Sequence, residues 1–420
     1  MNVQVTEFAD ERELAMHELR NFSLYDPHDE SSLYATFARL QRTQPVGRSE
    51  ALGGYWVLTR REHIAEVLRD TSTYSSEVLT IPPHVGPLGT AIPEQVDPPD
   101  HTAYRRDLQR MFSPTVAARL KEGTRERAQA YLERVRDAGR CDVVAEFCDP
   151  FPGVTFSLLV GLPVAALPQL MYWKNVKIKE GYGPDPEKRQ YAAQVVRPTA
   201  ATYFKAMLDL RREQGDDAPD DVLRALVEAR FNGRPWTENE ILRTIDFLMD
   251  AGLDTTSATL AMTMRHLATH PELQRALRAD RSTIEAAVEE FLRLFSTVSP
   301  GRVVTRDTQL DGMSLRKGDL VLLVLPAAGR DPFEYSAADE VGLEREPTRH
   351  LGFGLGPHRC LGSHIARMSL AVALEQILDI LPEFRLTPGR EPRFHAGLIL
   401  GLDELWLDIG EANAGQQPVA

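Results

Sequence analysis

The stretch from Gly352 to Gly362, GFGLGPHRCLG, constrains this chain more than any other, because it sets one cysteine between a glycine-rich turn and a long apolar helix. Gly352, Gly354 and Gly356 admit backbone angles and close approaches that a side chain would forbid. From Leu361 to Ile380 apolar residues recur at helical spacing. Cys360 is therefore expected at a helix N-terminus, where unsatisfied N–H groups and the positive end of the dipole favour a thiolate that can bind a soft or borderline metal. A plain core cysteine is one alternative. Another is a zinc site built from His350, His358, Cys360 and His364, but no CxxC pair supports it and the mixed spacing makes poor zinc-knuckle geometry.

Phe353, Gly356, His358, Cys360 and Gly362 fill the pattern FxxGxHxCxG position by position, and in this the chain resembles the cytochrome P450 family of haem-thiolate monooxygenases. The resemblance implies a mostly α fold with small β-sheets, the cytochrome P450 fold. It implies haem b, with Cys360 as the axial metal ligand whose electron donation favours O–O cleavage, and O2 as co-substrate.

Length and charge agree with that expectation. A chain of 420 residues with no visible linker reads as one large domain over 1–420, with loose tails at 1–20 and 411–420. The net charge of -13 argues against general nucleic-acid binding, which needs a basic surface. Three cysteines, Cys141, Cys148 and Cys360, suit a reducing compartment. The segment MNVQVTEFADERELAMHELR has no apolar h-region, and no run offers the ~20 apolar residues a membrane span needs. The expected place is the cytoplasm, without membrane or nucleic acid as partner.

In the first half, helices are expected over Leu33 to Gln41, Arg61 to Arg69, Val116 to Ala138, Phe151 to Leu159 and Thr199 to Glu213, with a strand at Tyr55 to Thr59. Ser75 to Pro99 is rich in proline and glycine and reads as a long functional loop. In the family it lies over the substrate pocket. Camphor-hydroxylating members carry a tyrosine there, whereas this loop has none, so camphor is not the expected substrate. Asp100 is a candidate N-cap for a short basic helix with His101 and Arg105 on one face. These two match family residues that compensate the haem propionates; a solvated basic face is the alternative. Gly181 to Gln190, GYGPDPEKRQ, reads either as a hinge between two lid helices or as an ordinary loop.

A longer helix is expected from Glu238 to His270, with Thr237 as N-cap and Pro271 beyond its end. Gly252 at its centre costs about 1 kcal/mol relative to alanine, which asks for either a ligand against the backbone or a close helix contact. Asp254 and Thr255 match the family's AGxDT acid–alcohol pair, which delivers protons during O2 reduction. Asp246, Asp250 and Asp254 form a stripe at i, i+4 that cannot be buried unpaired. Asp246 is expected to face solvent or a cation, and Asp250 to orient a polar substrate group or pair with an internal base.

In the last third, Glu290 and Arg293 on a helix over Ser282 to Phe295 match the family's ExxR motif, with Arg345 placed as its third partner. As an exposed pair they would be worth only ~0.2–0.5 kcal/mol. Arg302 and His358 match propionate partners. The segment HAGLILGLDELWLDIG reads as a hairpin whose tip, Leu398 and Ile399, reaches a pocket also lined by Phe247, Asp250, Ala251 and Val298. The expected reaction inserts one oxygen atom of O2 into a small or medium apolar substrate. With no flavin or nicotinamide domain in sight, electrons are expected from a ferredoxin-type donor and its reductase; Arg105, Arg106, Arg110 and Arg359 read either as its docking patch or as a solvated basic face. Two alternatives stay open: peroxide-driven or coupling chemistry at the same haem, and a non-catalytic haem-binding or zinc-stabilised protein.

Overall fold

The computed structural model describes residues 11–84, 88–181, 185–345 and 350–410. Most of these residues are helical, and the helix Glu238–Thr269 is the one the others are arranged about. It opens with a capping box: the Glu240 N–H donates to Thr237 Oγ1 (3.3 Å) and the Thr237 N–H to Glu240 Oε2 (2.7 Å), satisfying donors that a helix start leaves open. It ends because Pro271 denies His270 helical angles (φ -129°, ψ 72°). Its first half, with Ile245, Met249 and Leu253, packs with Val154, Trp173 and Phe204; its second, with Leu260 and Met264, packs with Phe147, Phe291 and Leu374. One helix thus joins two apolar cores.

The helix after the cysteine, Ser363–Ile380, lies along Pro114–Ala138. Five short strands form the largest sheet, in the order Val46–Ser49, Tyr55–Leu58, Leu320–Leu323, Gly301–Val304, Tyr74–Ser75. The second and third are parallel and the other neighbours antiparallel. Near the C-terminus Arg393–His395 pairs with Gly401–Glu404, and the loop between them brings Ile399 onto Val298. Trp406–Ile409 leaves that hairpin to pair with Phe384–Leu386 and Arg140–Asp142.

Glu290 and Arg293 face inward. Both Glu290 oxygens accept from Arg293 (2.9 Å each), and Oε2 also accepts from Arg345 Nε (3.0 Å) and the Gly342 N–H (2.9 Å). Arg293, with none of its side chain exposed, spends its other N–H groups on the carbonyls of Gly329, Ala338 and Glu340.

Several expectations need correction. Residues 11–20 are no loose tail: Glu11–Arg20 is a helix that buries Ala15 and Leu19 and pairs Glu18 with Arg39. Residues 1–10 and 411–420 lie outside the described residues. Asp100 sits inside the helix Asp100–Gln109, and Pro99 takes the cap position. Within Gly181 to Gln190, residues 182–184 are outside the described set, and Asp185 caps a short helix, Pro186–Tyr191, by accepting from the Glu187 and Lys188 N–H groups. No helix among the described residues is long and apolar enough to cross a membrane.

Candidate active site

The glycine turn owes its shape to crowding. A Cβ on Gly352 would stand 2.5 Å from Leu292 O, and one on Gly356 (φ +73°) would stand 2.4 Å from Leu68 O. The turn closes through Cys360 N–H to Phe353 O (2.8 Å) and Gly354 N–H to Leu351 O (2.7 Å). Cys360 precedes the helix rather than starting it, since Gly362 is the N-cap. The Gly362 N–H donates to the sulfur, Arg105 lies nearby, and Cys360 itself is exposed.

The sulfur opens into a cavity. Its wall takes Phe353, Cys360 and Gly362 from the turn and Ala251, Gly252 and Thr255 from the long helix. Phe247, Asp250, Val298, Leu398 and Ile399 line the same space. At Gly362 a Cβ would meet only Cys360 Sγ (3.9 Å) and Phe112 (4.0 Å), and at Gly252 only Phe156 (3.5 Å). Close helix packing therefore does not explain Gly252; the open side is the cavity.

At one edge the wall turns basic with Arg105, Arg302 and His358. His101 stacks behind His358, ring centroids 4.1 Å apart, rather than in the wall. All four ring nitrogens are buried without a hydrogen-bond partner, and burial with His358 and Arg105 alongside pushes His101 down to about 4. Arg302 is 3% exposed. Two buried imidazoles and two guanidiniums with one carboxylate among them, Glu94, leave donors in excess and make a suitable seat for carboxylates entering with a ligand. The donor set fits the two propionates and soft axial position that a haem requires. Among the described residues no group of three or more His, Cys, Asp or Glu side chains could hold a metal by itself, which counts against the zinc alternative.

On the long helix the acidic stripe meets cations. Lys174 Nζ, fully buried, lies 3.0 Å from Asp254 Oδ1 and 3.3 Å from Asp149 Oδ1. Burial alone would lower Lys174, but these two acids hold it above its ordinary range. Lys177 Nζ lies 2.6 Å from Asp246 Oδ1 and 2.7 Å from Asp250 Oδ1, and Arg197 reaches Asp246 Oδ2 at 2.5 Å. Burial pushes both carboxyls up; Lys177 and Arg197 overcome this at Asp246, which is lowered, while Asp250, with Asp246 beside it, stays raised. The Thr255 hydroxyl donates to Ala251 O at 2.7 Å.

A family model described as "Cytochrome P450" matches residues 182–396. The chain belongs to the cytochrome P450 family. A probable cytochrome P450 127A1 from Sinorhizobium fredii is 32% identical over 84% of this chain and 83% of its own length. A linalool 8-monooxygenase from Pseudomonas putida is 29% identical, covering 92% and 97%. Among solved structures, CYP101J2 superimposes with a TM-score of 0.84 at 26% identity, covering 98% of this chain and 100% of that one. As a P450 the protein is a haem-dependent monooxygenase that uses O2.

Four site residues escaped the sequence reading. Lys174, Lys177 and Arg197 carry the charges that the acidic stripe required, and the i, i+3 lysines of WKNVKIKE were an available signal. Glu94 stands 3.8 Å from both Arg302 and His358, and despite burial the His358 ring beside it and the Arg302 charge hold it below the usual carboxylate range. Nothing in its proline-rich loop singled it out. The basic docking patch contracts: Arg105 turns inward to Arg359 O, Arg110 pairs with Asp220 and Glu228, and Arg106 and Arg359 remain exposed.

Proposed function

We propose that Cys360 would bind the iron of a haem b held between the Cys360 turn and residues 251–255 of the long helix, with Arg105, Arg302 and His358 placed to receive its propionates and His101 backing His358. The substrate is a small or medium apolar molecule of terpenoid or secondary-metabolite type. One juxtaposition carries this reading: the sulfur and the Thr255 hydroxyl open onto one largely apolar cavity with cations at a single edge.

Bound there, haem would supply the redox chemistry that activates O2. The chain supplies the rest. Thr255 has its hydrogen committed to Ala251 O, so its oxygen can receive a hydrogen bond from a water or hydroxyl in the cavity. Asp254, the adjacent residue, is tied to Lys174 and suited to hand a proton to a water that Thr255 Oγ1 holds by accepting its hydrogen bond. Apolar walls exclude the bulk water that would short-circuit that route. Electrons come from a separate ferredoxin with its reductase, meeting Arg106 and Arg359, and the protein works in the cytoplasm.

The test is the spectrum of the reduced protein under carbon monoxide. A red-shifted absorption typical of sulfur-ligated iron, lost in Cys360→Ala, is the expected result. A colourless protein, or a Cys360→Ala variant with the same spectrum, would overturn the assignment.

A further inference from the structure

The basic edge of the cavity contains an acid. Among the described residues the charged side chains in that part of the wall are Arg105, Arg302 and Glu94, beside His358. Glu94 Oε1 lies 3.8 Å from Arg302 Nη2, and its Oε2 lies 3.8 Å from His358 Nδ1. One carboxylate thus stands against two of the groups placed to receive propionates. Both separations exceed a hydrogen bond, so Glu94 does not fix either neighbour. Arg302 Nη1 is bonded instead to Gly301 O at 2.7 Å, and the His358 ring stacks on His101. The turn that carries Glu94 is held by the next residue: Gln95 N–H donates to Ala91 O (2.8 Å), and its side chain accepts from Ala91 N–H (2.9 Å) and donates to Glu77 O (2.8 Å).

Charge is the remaining effect of Glu94. Arg105 and Arg302 are permanent cations. His101, pushed down to about 4 by burial and its basic neighbours, adds no charge near neutral pH. Asp97 acts on Arg302 and His101 from outside the wall and accepts from the Ser76 N–H at 2.9 Å. With two propionates in this seat, three carboxylates share two permanent cations. The attraction between Glu94 and Arg302 exists with or without haem, so it cancels from the binding equilibrium. Repulsion between Glu94 and a propionate arises only when haem is present. A propionate oxygen on Arg302 Nη2 would stand at most about 7 Å from Glu94 Oε1, the 3.8 Å gap plus a charged hydrogen bond of about 2.8 Å.

We propose that Glu94 is a tuning residue of the haem seat, whose surplus negative charge loosens the hold on haem and opposes reduction of the iron. The assignment rests on the haem reading above and deepens it. Uptake of one electron by ferric iron adds a negative charge, which a nearby carboxylate disfavours. A structural brace would act in the opposite direction, since removing it would free haem.

Haem-loaded protein should be mixed with excess apomyoglobin and the transfer of haem followed by absorbance, with the ferric–ferrous midpoint measured separately by dithionite titration. Glu94→Gln keeps the shape and removes the charge, whereas Glu94→Asp keeps the charge. Transfer from Glu94→Gln is expected to be at least about 3-fold slower than from the parent, the factor that two unit charges about 7 Å apart give even at the dielectric of water. Its midpoint should be more positive. Glu94→Asp should transfer haem within about 2-fold of the parent rate. An unchanged or faster transfer from Glu94→Gln, or a Gln variant that takes up no haem, would overturn the assignment. So would Gln and Asp variants altered alike, the mark of a brace. If the unaltered protein takes up no haem, the haem reading itself falls, and the tuning role with it.

Discussion

Replacing Glu290 by alanine should be the most damaging single change outside the cavity. Its carboxylate accepts four hydrogen bonds, two from Arg293, one from Arg345 and one from the Gly342 N–H. In Glu290→Ala the Arg293 guanidinium stays in place, because three carbonyls at 2.6–2.7 Å still hold it, and so it cannot swing out to water. A buried charge stripped of its partner costs about 3–5 kcal/mol. Arg345→Ala should cost only about 1 kcal/mol, since 13% of that side chain is already exposed and Glu290 keeps both bonds to Arg293. Urea unfolding followed by haem absorbance and far-ultraviolet circular dichroism measures both. The sign of the pH effect is also determined. Burial raises the Glu290 carboxyl, but Arg293, Gly342 and Arg345 together hold it below its ordinary range, so its contribution is present above the unfolded value of about 4.3 and lost as pH falls through the folded value. The gap between the parent and Glu290→Ala should therefore close in acid. A cost under about 1 kcal/mol for Glu290→Ala, or equal costs for the two variants, would show that the lock does not depend on charge compensation.

Thr255→Ala should leave folding and haem content unchanged but release reducing equivalents as hydrogen peroxide; unchanged product per electron consumed would favour peroxide-driven chemistry. Gly252→Ala should stabilise the helix by up to about 1 kcal/mol in a thermal melt, because its Cβ meets only Phe156 at an ordinary 3.5 Å. A loss of stability there would mean that the packing is tighter than the structure shows. Reduction by a ferredoxin donor should slow as salt rises, and more steeply for the parent than for Arg359→Glu, if exposed Arg106 and Arg359 form the docking face.

The elements that were legible in the sequence are those whose cause is local. Thr237, Glu240 and Pro271 bracket a helix expected over Glu238 to His270 and found over Glu238–Thr269, since caps and proline act within a turn. The glycine turn before Cys360 is likewise explained within a few residues, apart from the backbones of Leu68 and Leu292 that make glycine obligatory there. The acidic stripe shows where the missing information lay. Its spacing placed Asp246, Asp250 and Asp254 on one face but named no partner. Three carboxylates on a buried face nonetheless require compensating cations from another segment. Lys174 and Lys177 sit at i, i+3 on a helical stretch, one turn apart on one face, the pattern such a segment needs. Glu94 had no comparable signature: a carboxylate in an aperiodic loop becomes part of a site only once Arg302 and His358 are brought beside it. Periodicity thus marks which face is buried, and charge balance then restricts which distant segments can cover it. A single acid outside any repeat escapes both constraints.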